Sequence, residues 1–153
     1  MHVGEICTRS VVTCAPDLKV VELAQLMRGQ YVSDVIVVEQ RGTDAMPVGI
    51  VTFRDMVVRV LAGRLDPATS CARDVMSGTL ETVLESELIY DAIWHMRGKR
   101  VRRLPVVDTH GALRGVVTVD DVAEFLASEL VEVARISPGR SALERRVSEP
   151  SPR

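Results

Sequence analysis

Aromatic residues make up only 3% of this 153-residue chain, so aliphatic side chains must build its core, for which a hydrophobic content of 46% is sufficient. The formal net charge is −2, and no basic block stands out. A nucleic-acid surface needs a positive stripe, and base stacking needs grouped aromatic rings. Because Tyr31, Phe53, Tyr90, Trp94 and Phe125 are dispersed along the sequence, we expect no nucleic-acid partner.

The sequence also lacks a long apolar run and a cysteine framework. No stretch approaches the roughly 20 apolar residues that a membrane helix requires, and Glu5 precedes any apolar run that would mark a signal peptide. Cys7, Cys14 and Cys71 form no CxxC motif, and an odd number of cysteines suits a reducing compartment. We therefore expect a cytoplasmic protein with no membrane partner, in which Cys7 and Cys14 are small buried residues. A redox switch is the alternative.

Motifs for catalysis or metal binding are missing as well. His2, His95 and His110 are far apart and form no HxxxH pair or Cys/His cluster. No GxSxG, Walker loop or GxGxxG motif is present, and no nucleophile, base and orienting group can be combined from these residues. We expect no metal site, no required cofactor and no enzymatic activity. A nucleotide hydrolase is the enzymatic alternative.

What the chain does contain is an internal repeat. At an offset of 69 residues, Met27-Arg28-Gly29 matches Met96-Arg97-Gly98, and Gly42 matches Gly111. Beyond these glycines the offset drops to 66, which aligns Gly49-Ile50-Val51-Thr52-Phe53-Arg54-Asp55 with Gly115-Val116-Val117-Thr118-Val119-Asp120-Asp121. The first copy therefore carries three extra residues, in a position where a hairpin loop tolerates insertion.

Each copy predicts the same succession of elements. A short strand (residues 10–14 and 79–83) leads into a helix with one apolar stripe, which Asp17 or Ser86 would cap and Gly29 or Gly98 would end. A second strand (residues 32–39 and 101–108) turns through a glycine into a third strand and a second helix. The order β-α-β-β-α, found twice, predicts an α+β fold in which two small sheets pack face to face and share a core.

We divide the chain accordingly. Residues 1–65 form repeat one, residues 66–136 form repeat two, and the two make one integrated module. The helix of repeat one should stop near Gly63, with Asp66-Pro67 as the linker, and the last helix should run to about Pro138. Residues 137–153 hold three prolines and many polar residues, which predicts a disordered tail.

The repeated Thr-x-x-Asp pattern is the strongest candidate for chemistry. Thr52 and Thr118 each end a strand where a helix begins, and a helix N-terminus favours an anion such as phosphate. Asp55 and Asp121, three residues later, can accept hydrogen bonds from ribose hydroxyls. The same spacing is also a capping box that needs no ligand, and the two interpretations can hold in different states.

The segments RRLPVVD, GIVTFRD and GVVTVDD, together with the paired β-α-β-β-α order, resemble a tandem CBS (cystathionine-β-synthase-type) domain pair over about residues 3–130. The resemblance is to stand-alone pairs, or Bateman modules. It implies two CBS units packed sheet to sheet with pseudo-two-fold symmetry. It also implies an adenine nucleotide or another adenosyl ligand in clefts between the repeats, and assembly into a homodimer.

By this resemblance, each cleft combines the Thr-x-x-Asp of one repeat with apolar residues of the other. The repeat-two cleft would use Thr118 and Asp121, with Val11 and Val32 from repeat one. Arg103 matches the cationic position of the family, before the proline of a strand, and would meet a phosphate there. The alternative role for Arg103 is a solvated strand edge.

The repeat-one cleft would use Thr52 and Asp55, with Leu80 and Val101 from repeat two. In this cleft Asp34 stands where the family pattern expects a cation, and Arg54 is a possible compensation. Asp120 should weaken polyphosphate binding in the repeat-two cleft. On balance the sequence favours the repeat-two cleft.

The function expected from these features is that of a non-catalytic sensor. It would bind AMP, ADP, ATP, NAD(H) or S-adenosylmethionine between the repeats and signal to an unidentified partner protein. The alternative is a dimerisation or interaction scaffold with empty clefts, which the capping-box interpretation and the acidic residues Asp34 and Asp120 favour.

Overall fold

The computed structural model describes residues 1–136 and contains two copies of one small sheet-and-helix unit. The predicted disordered tail, residues 137–153, lies outside the described residues. The first half of the chain contains α1 (Val3–Ile6), β1 (Thr13–Cys14), α2 (Val20–Gln30), β2 (Asp34–Arg41), β3 (Asp44–Thr52), α3 (Phe53–Asp55) and a π-helix (Met56–Ala62). The second half contains α4 (Ala72–Val75), β4 (Val83–Leu84), α5 (Ile89–Lys99), β5 (Arg103–Val107), β6 (Leu113–Thr118) and α6 (Val119–Ile136).

Each half forms a three-stranded sheet with the same topology. In the first sheet the order is β1-β2-β3, with β1 parallel and β3 antiparallel to β2, and β4-β5-β6 repeats this arrangement. The hairpin turns contain Gly42 and Gly111, whose φ angles of 64° and 82° suit glycine. Two such units pack sheet to sheet with pseudo-two-fold symmetry, so the predicted α+β class and architecture are confirmed.

The ends of the first helix of each repeat differ from the predicted ones. The N-cap residues are Lys19 and Leu88, two positions beyond Asp17 and Ser86. Here the acid three residues further on, Glu22 or Asp91, accepts the N–H of the N-cap residue, so no capping hydroxyl or carboxylate is needed at the N-cap itself. The helices also continue past Gly29 and Gly98 and end at Gln30 and Lys99.

The short helices α1 and α4 are exchanged between the repeats. The sheet of repeat two receives α1, because Val3 is buried in its hydrophobic cluster and Thr8 pairs with Val116. The sheet of repeat one receives α4, which contributes Ala72 and Val75 to the other cluster. The buried side chains thus form two main clusters, each completed by a helix from the other repeat, rather than the one shared core that we expected.

The domain boundaries predicted from the repeat remain a prediction. At α1 and α4, the repeat to which each helix belongs in the sequence differs from the repeat on which it packs. The helix of repeat one ends at Ala62, capped by Gly63, as predicted. Within residues 1–136, none of the helices is both long and apolar enough to cross a membrane.

Burial raises the pKa of two of the three cysteine thiols. All three cysteines are free thiols. Cys14 lies in the cluster of repeat one, and burial raises the pKa of its thiol to about 11, so it stays protonated at neutral pH. Cys7 is partly buried against the cluster of repeat two, and burial is also the largest cause that raises its pKa.

Candidate functional site

The Thr-x-x-Asp of repeat one forms a complete capping box. Thr52 ends β3 and is the N-cap of α3. Its backbone N–H and its hydroxyl donate to Asp55 Oδ2 at 2.8 and 2.6 Å, and the Asp55 N–H donates back to Thr52 Oγ1 at 3.3 Å. The second carboxylate oxygen of Asp55 lies 3.6 Å from Nε of Arg59, one turn further on. The capping-box interpretation is therefore confirmed here, and the second carboxylate oxygen has only the longer ion-pair contact with Arg59.

Repeat two builds the same box with nearly the same distances. The N–H and the hydroxyl of Thr118 both donate to Asp121 Oδ2 at 2.7 Å, and the Asp121 N–H donates to Thr118 Oγ1 at 3.2 Å. Because both boxes are complete without a ligand, the motif by itself stabilises each strand-to-helix junction. Any ligand-binding role must come from what surrounds it.

The repeat-two cleft is a cavity of 300 Å³ between the repeats. Four of the five residues predicted for it line it together: Val11, Val32, Arg103 and Thr118. Asp121 is the exception. Its carboxylate is held by Thr118, and it lines a neighbouring pocket where α1 packs against α6.

The repeat-one cleft is larger, at 520 Å³. All four residues predicted for it line it: Thr52, Asp55, Leu80 and Val101. The first two come from repeat one and the last two from repeat two, so the walls of this cleft are supplied by both halves of the chain.

Two cleft residues that sequence reasoning missed occupy equivalent positions. Tyr31 and Arg100 are the C-cap residues of α2 and α5, with left-handed φ angles of 53° and 55°. Tyr31 lines the repeat-two cleft, and Arg100 lines the repeat-one cleft. Left-handed C-caps are usually glycine or asparagine, so neither residue type signals this turn. The repeat offset of 69, continued from Gly29 and Gly98, was the one available clue.

The two clefts carry different charge. Four arginines line the repeat-one cleft, against two carboxylates: Arg54, Arg100, Arg102, Arg103, Asp55 and Glu81. Of the two carboxylates, Glu81 is already paired with Lys99 at 2.8 Å. The repeat-two cleft is lined by one arginine and one carboxylate, Arg103 and Asp34. The repeat-one cleft is therefore the more cationic of the two, whereas the preference for the repeat-two cleft as the ligand site stays a prediction.

The position of Asp34 accounts for part of this difference in charge. Asp34 and Arg103 begin β2 and β5, and their side chains form an ion pair that joins the repeats. Asp34 thereby lines the repeat-two cleft, whereas Arg103 lines both clefts. The strand position predicted which residues are equivalent, but not that the two would pair with each other.

The pair is partly buried, with 33% of the Arg103 side chain and 14% of the Asp34 side chain exposed. The Ser33 hydroxyl also donates to Asp34 Oδ2 at 2.9 Å. Burial lowers the pKa of the Arg103 guanidinium, and the Asp120 carboxylate opposes this effect. Because the ordinary pKa of arginine lies far above neutrality, Arg103 stays charged at neutral pH.

Asp120 is far more exposed than Asp34. Its carboxylate is 3.9 Å from a guanidinium nitrogen of Arg102, and 91% of its side chain is accessible. Exposed pairs of this kind contribute little to stability. Its predicted effect on polyphosphate binding in the repeat-two cleft stays a prediction.

The described residues offer little for metal or acid–base chemistry. Within residues 1–136, no group of three or more His, Cys, Asp or Glu side chains is arranged to hold a metal ion. His2 Nδ1 lies 2.7 Å from the carbonyl oxygen of Ser86, and His95 Nε2 lies 3.7 Å from Glu87. Neither of these histidines lines the two clefts.

The chain matches a known family over both halves. The family model for the CBS domain matches residues 3–62 and 72–128. An uncharacterized protein of Methanopyrus kandleri is 38% identical over 124 residues, which cover 81% of this chain. The matched region spans 62% of that relative, so the chain is shorter than the protein it resembles.

Two solved structures share the fold. The CBS domain protein PAE2072 from Pyrobaculum aerophilum, complexed with AMP, gives a TM-score of 0.70 at 25% identity and covers 84% of this chain and 99% of its own. The CBS domain pair of protein MJ0100, in complex with 5-methylthioadenosine and S-adenosyl-L-methionine, gives a TM-score of 0.72 at 21% identity and covers 84% of this chain and 98% of its own.

Proposed function

The chain belongs to the CBS domain family, and from that membership we propose that it is a non-catalytic regulatory module. It binds an adenosine-containing ligand in a cleft between its two CBS repeats and signals its occupancy to a partner protein. The candidate ligands are AMP, ADP, ATP, NAD(H) and S-adenosylmethionine, which share the adenosine group. The module works without a cofactor and as a homodimer.

The observation that carries this proposal is the composition of the repeat-one cleft. Thr52 and Asp55 come from one repeat, and Leu80 and Val101 come from the other. A ligand seated there contacts both halves of the module, so its affinity depends on how the halves are placed. A ligand that prefers one placement shifts the population toward it, which a partner protein can detect.

The chemistry of the cleft fits the parts of a nucleotide. Ile50, Leu80 and Val101 give an apolar wall for the adenine ring. The carboxylate oxygen of Asp55 that is not used for capping can accept from a ribose hydroxyl. The arginines of the same cleft supply charge-assisted donors for phosphate oxygens. The solved relatives with AMP and with S-adenosyl-L-methionine make the same ligand class reasonable here.

An interaction scaffold with empty clefts is the second candidate. It is favoured by the two capping boxes, which are complete without a ligand. It is also favoured by an apolar surface on the π-helix of repeat one, where Val57, Val58 and Leu61 are 55%, 53% and 73% exposed. Such a surface suits a protein–protein contact.

Thermal unfolding with millimolar AMP, ADP, ATP, NAD(H) and S-adenosylmethionine tests the proposal. We expect at least one ligand to raise the Tm, because binding to the folded state adds RT ln(1 + [L]/Kd) to its stability. Leu80→Trp, which fills the repeat-one cleft, should abolish the shift produced by a nucleoside phosphate. Leu130→Trp, at a position on α6 that is 69% exposed, is the matched control and should keep it.

Three results would count against the proposal. A folded protein that no ligand stabilises would favour the scaffold. A shift with AMP, ADP or ATP that survives Leu80→Trp would place that nucleotide outside the repeat-one cleft. Conversion of the ligand by the purified protein, followed by mass spectrometry and removed by Leu80→Trp, would overturn the non-catalytic part. Light scattering of the purified protein tests the homodimer separately.

A further inference from the structure

The ion pair between Asp34 and Arg103 joins the two repeats beside the clefts, and its members occupy equivalent positions of the two repeats. Asp34 is the first residue of β2 and lies opposite Thr52, whereas Arg103 is the first residue of β5 and lies opposite Thr118. Each threonine caps the helix that follows it, and each lines one of the two clefts. The pair therefore joins the two halves at the point where both clefts begin.

Arg103 lines both clefts, whereas Asp34 lines the repeat-two cleft and not the repeat-one cleft. An anion in the repeat-one cleft that reaches Arg103 competes with Asp34 for the same guanidinium. We propose that Asp34 and Arg103 determine which ligands the module holds together: a nucleoside phosphate in the repeat-one cleft, and a neutral or cationic adenosyl compound in the repeat-two cleft. This inference rests on the proposed function.

The other arginines decide which cleft takes the anion. Arg54, Arg100 and Arg102 line the repeat-one cleft beside Arg103. The residues at the equivalent positions of the other repeat are Asp120, Tyr31 and Ser33. A phosphate group in the repeat-one cleft thus meets several guanidinium groups, whereas in the repeat-two cleft it meets only a guanidinium that is already paired.

The consequence for the second cleft follows from burial. The Asp34 side chain is only 14% exposed, and a carboxylate that is largely buried is strongly disfavoured when its partner is removed. Once a phosphate draws Arg103 away, the repeat-two cleft gains an unpaired negative charge. That charge repels a second phosphate and attracts a cation such as the sulfonium of S-adenosylmethionine. Because binding free energies are reciprocal, S-adenosylmethionine must strengthen AMP binding by the same factor.

Isothermal titration with AMP and S-adenosylmethionine tests the coupling. We expect one AMP per chain, and an affinity for S-adenosylmethionine that rises about fivefold or more when AMP is saturating, the lower end of usual coupling strengths. Asp34→Asn removes the charge with little change in shape. In that variant we expect S-adenosylmethionine to bind equally well with and without AMP.

Asp108→Asn is the matched control. Asp108 is 12% exposed at the side chain and paired with Arg114, as Asp34 is with Arg103, but it lies outside both clefts. It should leave the coupling unchanged. If Asp34→Asn does not fold, the double variant Asp34→Asn, Arg103→Gln removes both charges together and should likewise bind the two ligands independently.

The outcomes separate this inference from the proposed function. If AMP and S-adenosylmethionine both bind the wild-type protein but independently, or if the charge-free variants keep the coupling, the inference is overturned and the proposed function stands. Two AMP molecules of similar affinity per chain would overturn it as well. If neither these two ligands nor the other candidates bind the folded wild-type protein, the proposed function fails, and the inference fails with it.

Discussion

The two clefts have the same backbone plan but different chemistry. Both begin with a capping box of nearly identical distances, and both have a non-glycine residue in a left-handed C-cap beside them. Yet three arginines of the repeat-one cleft are replaced at the equivalent positions of the other repeat by a carboxylate, a phenol and a hydroxyl. Duplication has preserved what the fold requires, whereas the groups that would meet a ligand have diverged.

The comparison also shows what the Thr-x-x-Asp motif means in this chain. Asp55 lines its cleft, whereas Asp121 makes the same hydrogen bonds and lines a different pocket. The motif therefore reports a strand-to-helix junction in both repeats. The arginines, rather than the motif, distinguish the two clefts chemically.

Exchange of the two C-cap residues is the strongest way to break this comparison. Arg100→Tyr should weaken AMP binding by about tenfold or more, because a hydrogen bond to a charged group contributes roughly 1.5–3 kcal/mol. Adding Tyr31→Arg should strengthen AMP binding to the repeat-two cleft. Titration calorimetry measures both changes. The control is Arg135→Tyr on α6, where the side chain is 70% exposed. An equal loss of affinity in that control would mean that Arg100 acts through net charge alone.

Replacing the equivalent glycines of β3 and β6, Gly49 and Gly115, by alanine should destabilise the protein to different extents. At Gly115 a Cβ would lie 2.8 Å from both the Thr8 carbonyl oxygen and Cys7 Sγ. That carbonyl is fixed by its hydrogen bond from the Val116 N–H at 2.9 Å. At Gly49 the nearest atoms are Sδ, Cγ and Cβ of Met76, of which Sδ and Cγ can move with the flexible side chain and Cβ, at 3.0 Å, is only just too close.

We expect Gly115→Ala to lower the free energy of unfolding by about 1–3 kcal/mol, the range for overpacking. The loss for Gly49→Ala should be smaller, since Met76 can change its rotamer. Urea unfolding of the two variants measures the difference. Equal losses would show that the segments that follow α1 and α4 are held with similar rigidity, and a larger loss at Gly49 would show that Met76 cannot make room.

Local pattern was sufficient for much of the fold. The hydrophobic periods, the hairpin glycines Gly42 and Gly111 and the repeat itself predicted the β-α-β-β-α order in both halves, but not the short helices α1 and α4 that precede it. The helix ends were misplaced by about two residues, because Glu22 and Asp91 satisfy the N-termini from inside the helix. A capping group can act from either side of the first turn, and propensity alone does not say which.

Contacts between the repeats were not predictable from local pattern. The exchange of α1 and α4 leaves the order of elements unchanged, so the sequence repeat gives no sign of it. The Asp34–Arg103 pair joins residues 69 positions apart, each of which was assigned from its own strand. The charge of each cleft also depends on the arginines that the other repeat contributes. Arg100 of repeat two, for example, lines the cleft that contains Thr52 and Asp55, and only the tertiary structure places it there.

Glycine at the two left-handed C-caps should produce the smallest effect and the sharpest contrast between the clefts. A non-glycine residue in this conformation is disfavoured by roughly 1–2 kcal/mol, and the greater freedom of glycine in the unfolded chain offsets about 0.4–1 kcal/mol of that. Tyr31→Gly and Arg100→Gly should therefore each stabilise the protein by about 1 kcal/mol or less, as measured by urea unfolding. The Tyr31 side chain is 97% exposed, so its removal loses little packing.

The variants should differ in ligand binding: Arg100→Gly should weaken AMP binding, whereas Tyr31→Gly should leave it unchanged. If Arg100→Gly lowers stability and affinity together, the Arg100 side chain supports the fold of its cleft, and the divergence of the two clefts is structural as well as chemical.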